Sequence, residues 1–315
     1  MDALADPYIH EFHRINRNSG GILTKTSHHD TYDFISPTKT DLSSRVVFIS
    51  GASKGIGLTM AVSYTKARVS GLCIAARSDL SKTIAAIETA AKEASLPIPR
   101  VVAVTCDVTD AQSVEAAAVK IQEAFPEGID IVVSNAGYLE PEVLVAASDP
   151  LEWWKSFEIN LKGTYLTARS FIPQLLKKEN GLKILCNTVS IGAHMLFPGM
   201  SAYNTAKLAA CRLTEYIDVE YSDKGIIAFC LHPGGVPTEM GLKLPKEKQV
   251  MLVDTHELVS DTTVWLTKEP RDWLRARYIS VQWDMQQLEQ HSDEIVEQDL
   301  LKVKLQVGMG SFEGR

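Results

Sequence analysis

From Arg45 onward the chain alternates short apolar runs with helical patterns, and this alternation limits the possible folds more than any other feature of the sequence. The runs are VVFIS (46–50), LCIAA (72–76), VVAVTC (101–106), IDIVVS (129–134), KILCNTV (183–189), IIAFCL (226–231) and YISVQW (278–283). They are β-branched and almost continuously apolar, as expected of strands covered on both faces. Helical stretches at 79–94, 111–125, 150–178 and 201–223 separate them. Strands divided by helices read as repeated βαβ units, so an α/β fold with a doubly wound, seven-stranded parallel sheet in a single domain is expected. The 315-residue length would suggest two domains on a prior of ~150 residues each, but the strand series runs unbroken. Residues 1–44 are polar with weak periodicity and read as a solvated or loosely docked N-terminal arm. Residues 45–283 form the predicted domain, and 284–315 a charged amphipathic tail with at least one helix.

Composition excludes several functions. The 32 Lys and Arg against 39 Asp and Glu leave a net charge of −7, which argues against nucleic acid as a partner. No apolar run reaches the ~18 residues of a membrane span, and the acidic N-terminus broken by Pro7 does not read as a signal peptide. A soluble, cytoplasmic protein is expected. The five cysteines are scattered, which favours reduced, buried thiols over disulfides or zinc. His10, His13, His28 and His29 have no carboxylates at coherent spacing, so no metal site is expected.

The first apolar run leads directly into Ser50-Gly51-Ala52-Ser53-Lys54-Gly55-Ile56-Gly57 and then a helical pattern. Glycines there let the backbone turn tightly and approach a pyrophosphate, which the free N–H groups of a helix N-terminus can hold. A glycine-rich turn is a weak signal alone; its position after the first strand of a βαβ series gives it weight. The third run ends in Cys106-Asp107-Val108 and the fourth in Ser134-Asn135-Ala136-Gly137. Residues at such strand ends line the crevice in which α/β sheets bind ligands.

SGASKGIG, CDV, SNAG, Ser190 with Tyr203-Asn204-Thr205-Ala206-Lys207, and HPGGVPTEM (232–240) occur in one order, and together the chain resembles the short-chain dehydrogenase/reductase family over about residues 43–283. The likeness is to its compact, single-domain, Rossmann-type branch and to fungal members in particular. Ser50 stands where the family has Thr, and Ser134 where it has the first Asn of NNAG. The resemblance implies dinucleotide contacts at Gly51, Ser53, Lys54, Gly55, Ile56, Gly57, Asp107, Val108, Asn135, Ala136, Gly137, Pro233, Gly234, Val236 and Thr238. Of these, Val236 and Thr238 would meet the nicotinamide carboxamide. Residues 239–256 would be a mobile substrate lid.

The end of the second strand separates NAD from NADP. A carboxylate there would bind the ribose 2′-hydroxyl and repel a 2′-phosphate. The chain has Ala75-Ala76-Arg77-Ser78 instead. A lone surface cation is ordinarily just solvated, but Arg77 and Lys54 are expected to converge on one phosphate, so NADP(H) is favoured.

Tyr203 and Lys207 are four residues apart in a helical pattern and share a face. A nearby ammonium is expected to lower the phenol's pKa from ~10 and suit Tyr203 to general acid or base work. Lys207 is also expected to hold the nicotinamide ribose. Ser190 would hydrogen-bond the substrate oxygen as charge grows there. Asn160 matches the family's helical Asn, implied to hold a water of the proton relay. Each residue alone has an ordinary structural reading; the weight lies in the ordered set. Substrate contacts are expected at Tyr138, Ile191, His194 and Met240, in mostly apolar surroundings that would suit a hydrophobic, aromatic or polyketide-like skeleton. The predicted function is NADPH-dependent hydride transfer to a small-molecule carbonyl or from the corresponding secondary alcohol. An epimerase or dehydratase using the Tyr–Lys pair and a non-catalytic NADP-binding regulator are the alternatives. The resemblance also implies a homodimer or homotetramer formed through 150–178 and 201–223.

Overall fold

A computed structural model describes Gly20 and residues 23–305. Seven strands form one sheet: β1 (Val46–Ser50), β2 (Gly71–Ala76), β3 (Arg100–Thr105), β4 (Ile131–Ser134), β5 (Ile184–Thr188), β6 (Ile227–His232) and β7 (Tyr278–Ser280). Their order is β3-β2-β1-β4-β5-β6-β7 and every pairing is parallel. The predicted doubly wound sheet is therefore present. The crossover direction reverses between β1 and β4, which opens a crevice at their carboxyl ends.

The strands read as continuously apolar because their alternate residues serve two different cores. Val47 and Ile49 of β1, with Leu72 and Ile74 of β2, join one cluster. Val46 and Phe48, with Cys73 and Ala75, join the other. The first cluster is covered by α1 (Gly55–Lys66), α2 (Ser81–Glu93) and α7 (His256–Thr267), through Met60, Ile87 and Leu258 among others. The second is covered by α3 (Ala111–Ala124) and α5 (Gly163–Lys177), with Phe171 stacked on Phe48 at 4.0 Å.

The stretch 150–178, expected as one helix, divides into α4 (Pro150–Phe157), a π-helical turn (Glu158–Lys162) and α5. In that turn the Gly163 N–H bonds the Glu158 carbonyl, one residue wider than in an α-helix, and such insertions recur at functional sites. α6 (Ser201–Tyr221) follows the loop after β5. The tail forms two short helices, α8 (Met285–Gln290) and α9 (Ser292–Glu297).

The described part of the N-terminal arm is not loosely docked. Ile35 and Leu42 are buried in the same core as Trp283, Met285 and Ile295 of the tail. His28 stacks on Tyr32 and bonds Asp284 at 2.8 Å, while the Tyr32 hydroxyl accepts the Met285 N–H. Arm and tail thus close over the β7 edge together. Residues 1–19, with His10 and His13, and residues 306–315 lie outside the described residues. All five cysteines are free and buried. Among the described residues no group of His, Cys, Asp and Glu could hold a metal, and no helix is long and apolar enough to cross a membrane.

Candidate active site

The turn after β1 is built by close approach. Gly51 has φ +67°, and a Cβ there would lie 2.8 Å from the Ala136 backbone. A Cβ on Gly57 would lie 2.4 Å from the Gly51 carbonyl oxygen. The ends of β1 and β4 are laced together by short polar groups. The Ser50 hydroxyl accepts the N–H groups of Asn135 and Ala136 at 3.0 and 3.2 Å, and the Asn135 amide donates to the Ser50 and Gly51 carbonyls. Serine in place of threonine keeps this contact.

α1 then begins at Gly55 and Ile56 with no side-chain cap and no acidic residue in its first turn. The contrast is with α3, α4, α7 and α8, whose free N–H groups are taken by Asp110, Asp149, Thr255 and Asp284. An uncapped, positive helix terminus beside a glycine turn fits the pyrophosphate of a dinucleotide. Gly55 faces the Thr238 methyl, so this turn meets the segment after β6. There Gly234 has φ +78°, Val236 is buried, and the Thr238 hydroxyl accepts the Gly241 N–H at 3.1 Å.

Arg77 is exposed at the end of β2 and acts on Asp107, at the end of β3, through its charge. Burial pushes the Asp107 carboxyl up, but hydrogen bonds from the Thr109 N–H and hydroxyl, then Arg77, outweigh it and hold it below its usual range. Val108 packs against Gly163, where a Cβ would come within 2.8 Å of it. Lys54 pairs with Glu239 of the segment after β6, and the hydroxyl of its neighbour Ser53 accepts from that of Ser78, next to Arg77, at 2.8 Å. The loops bearing the two cations are therefore joined, although Lys54 itself is turned to a carboxylate.

The expected catalytic residues meet at the carboxyl ends of β4 and β5. The Tyr203 hydroxyl is hydrogen-bonded to Ser190. Lys207, one turn along α6, is buried with its ammonium 5.7 Å from the Tyr203 ring centroid, and it donates to the Thr188 carbonyl at 2.9 Å. Gly137 forms the floor beside them: a Cβ there would lie 3.4 Å from Asn160 Oδ1, 3.6 Å from Met240 Cε and 3.7 Å from Lys207 Nζ. Asn160 occupies the π-helical turn, fully buried, and both atoms of its amide bond the Tyr138 backbone. Its side chain thus pins the loop after β4.

The electrostatics depart from the sequence expectation. Burial raises the Tyr203 phenol, the Ser190 hydrogen bond lowers it, and the Glu140 carboxylate raises it further, so the net shift is upward. Burial also pushes Lys207 down, to about 8. Desolvation outweighs the attraction of the ammonium that the spacing alone suggested.

Ile191 donates its N–H to His232 Nδ1 at 3.1 Å, and Met240 lies over the Gly137 floor. His194 packs edge-on against Tyr278 at 4.6 Å, and burial lowers its pKa. The Tyr138 ring is flanked by Lys155 and Lys243, and its hydroxyl donates to Glu152. Two buried carboxylates escaped the sequence reading. Glu140 accepts the Tyr203 N–H, and Asp254 accepts the Gly235 N–H. Neither lies in a spacing that marks it, since only the fold brings residues 63 and 19 positions apart into contact.

The sequence profile of the short chain dehydrogenase family matches residues 45–249. The chain belongs to this family of oxidoreductases, whose members bind a nicotinamide cofactor and act on small molecules. It is 47% identical to the short chain dehydrogenase mpl6 of Monascus purpureus over 90% of this chain and 96% of that protein. It is 44% identical to the short chain dehydrogenase pigC of Monascus ruber over 90% of this chain and 93% of that one. Among solved structures, an alcohol dehydrogenase from the archaeon Thermococcus sibiricus, complexed with 5-hydroxy-NADP, superposes with a TM-score of 0.62. It is 29% identical, with 75% of this chain and 95% of that one covered.

Proposed function

We propose that this protein is an NADP(H)-dependent oxidoreductase that reduces the carbonyl of a small, moderately hydrophobic molecule, or oxidises the matching secondary alcohol. The observation that carries this reading is the Tyr203–Ser190 hydrogen bond with Lys207 one turn along, set over the Gly137 floor at the switch point of the sheet. When bound, the dinucleotide supplies the hydride that goes to the carbonyl carbon. Gly51, Ser53, Gly55, Ile56 and Gly57 would hold its pyrophosphate, Asp107 and Val108 its adenine, and Asn135, Ala136, Pro233, Gly234, Val236 and Thr238 its nicotinamide half. One Lys207 proton is committed to the Thr188 carbonyl, and the other two are available to the ribose hydroxyls.

Tyr203 gives its hydroxyl proton to the reacting oxygen, which becomes the alcohol, and the phenolate left behind regains a proton from solvent. Ser190 donates to the same oxygen while its negative charge develops. Asn160 keeps the Tyr138 loop in place as one wall, with Met240 and Ile191 on the others and His194 behind them. Arg77 and Lys54 favour the extra phosphate of NADP, and the Thermococcus sibiricus enzyme bound to an NADP derivative supports the same choice. Exposed Leu151, Trp154, Tyr216 and Val219 on α4 and α6 support assembly into a homodimer or homotetramer, and a cytoplasmic location completes the proposal.

The test is consumption of NADPH with a panel of ketones and aldehydes, for the wild type and for Tyr203→Phe. Wild-type turnover is expected, with a loss of about 10²–10⁴-fold in the variant, the usual worth of a positioned general acid. NADPH affinity is expected to stay within about twofold, since the phenol acts on the substrate side of the chemistry. Substantial activity in Tyr203→Phe overturns the mechanism.

A further inference from the structure

Glu140 lies three residues beyond the Gly137 floor and is buried, with 9% of its surface exposed. One carboxylate oxygen accepts the backbone N–H of Tyr203 at 2.8 Å, and the other accepts the Ser156 hydroxyl. Among the described residues it enters no ion pair, unlike the buried Asp130, which holds both Arg45 and Lys178. Tyr203 is in the first turn of α6, where N–H groups have no partner within the helix, so a carboxylate at this point caps it favourably. Capping needs only an acceptor; a serine, an asparagine or a water would serve. A buried carboxylate without a cation does something more, because its charge bears on the phenol of the residue it caps.

Resting on the redox reading of the site, we propose that Glu140 is a positioning residue that fixes Tyr203 in place and holds its phenol in the protonated form from which carbonyl reduction starts. In reduction the phenol O–H bond breaks and its proton goes to the carbonyl oxygen, while the hydride from the reduced dinucleotide goes to carbon. That step starts from the neutral phenol, and the reverse step starts from the phenolate. A buried negative charge on the backbone N–H of the same residue disfavours the phenolate and so carries the first step to higher pH. The other charged or titratable groups around Tyr203 are few. Lys207 stands on the same helix, with Cys211 and Cys230 acting on it from below. Lys155, Lys243 and Glu152 surround Tyr138 across the cleft. His194 and His232 lie behind Ile191, and burial holds both toward the neutral form. Glu140 is the one acid among these in direct contact with the Tyr203 residue.

Glu140→Gln tests this because its amide oxygen can still accept the Tyr203 N–H and its amide nitrogen can meet Ser156. Only the charge is removed. The NADP+ complex is labelled with ¹³Cζ-tyrosine, the Tyr203 resonance is assigned by its loss in Tyr203→Phe, and its pH titration is followed. The phenol is expected to titrate about one unit lower in Glu140→Gln than in the wild type, the scale of a single nearby charge. Glu140→Asp, which retains the charge, is expected to stay close to the wild type. The alkaline fall of the reduction rate should move down by the same amount. Glu140→Met, uncharged and of similar volume, serves if the Gln variant does not fold. Superimposable titrations in the wild type and a folded neutral variant overturn the proposal. A wild type that binds NADP+ but reduces no carbonyl overturns the redox reading instead, while the resonance titration still decides the role of Glu140.

Discussion

On the proposed reading, Arg77 is the residue on which cofactor choice turns. Its loop is held against the phosphate-binding turn by the Ser53–Ser78 hydrogen bond, and its charge reaches Asp107 across the β2–β3 edge. Nothing acidic occupies the end of β2 itself. Lys54 is a weaker contributor than its sequence position suggests, because Glu239 already engages it and both side chains are more than half exposed. Arg77→Asp should therefore reverse the preference, weakening NADPH by at least tenfold relative to NADH, in line with about 1.4 kcal/mol or more for one charged hydrogen bond. Dissociation constants for both reduced dinucleotides, measured by nicotinamide fluorescence, check this; an unchanged ratio removes Arg77 from cofactor selection. The position of such a residue was legible in the sequence because it follows the end of a recognisable strand. Glu140 and Asp254 were not, because their partners are distant in sequence and a lone carboxylate in a loop carries no periodic signal.

At the level of elements, six of the seven strands could be read within a residue or two because a run buried on both faces has no other stable home, while the last run outran β7 by three residues. Helix continuity was harder. The apolar spacing of 150–178 persists through the π-helical turn, which is set by Gly163 packing on Val108 and by the widened bond to Glu158. The docking of the arm is not visible in its sequence because its buried apolar residues, Ile35 and Leu42, are too few for a periodic signal and its polar contacts are long-range. Asp254, buried just before α7, accepts the Gly235 N–H, the Gln282 amide at 2.8 Å and a hydrogen bond with His29 Nδ1 at 2.6 Å. Its own N–H bonds the Gly235 carbonyl, while the His29 carbonyl accepts the Thr255 N–H. Asp254 therefore ties the two ends of residues 236–253 together, the segment bearing Val236, Thr238 and Met240, and the arm braces it through His29. Asp254→Ala strands two half-buried donors and should cost about 2 kcal/mol, whereas His29→Ala, at an exposed end of the clasp, should cost about 1 kcal/mol or less. Urea unfolding of the two variants measures the difference, and equal losses would mean that the arm, not the buried carboxylate, carries the clasp.

For the whole molecule, acid stability depends on where its buried imidazoles sit. His232 ends β6, is fully enclosed, and is pushed down to about 3 by burial and by the neighbouring His194, which burial also lowers. An unfolded histidine takes up its proton near pH 6.5, so below that value the unfolded state binds more protons than the native one. Native stability should then fall as pH drops through 6.5 and keep falling toward 3, by roughly 1.4 kcal/mol per unit from His232 alone. Carboxylates held low in the fold act in a different window: Asp299, drawn to about 2 by Lys302 and Lys304, releases its contribution only as pH falls below the usual carboxylate range. Asp261, raised by burial, works in the opposite sense above the usual carboxylate range, so the comparison of variants assigns the acid slope to His232. His232→Asn keeps an acceptor for the Ile191 N–H and removes the titrating ring, so it should flatten the stability curve between about pH 4 and 6.5. Urea melts at pH 7.5, 6.0 and 5.0 would detect it, and an acid slope equal to the wild type's would exclude His232 as its source. Because the native ring stays neutral down to about pH 3, its bond to the Ile191 N–H, directly after Ser190, should persist through this interval, and activity should fall there only as the protein unfolds.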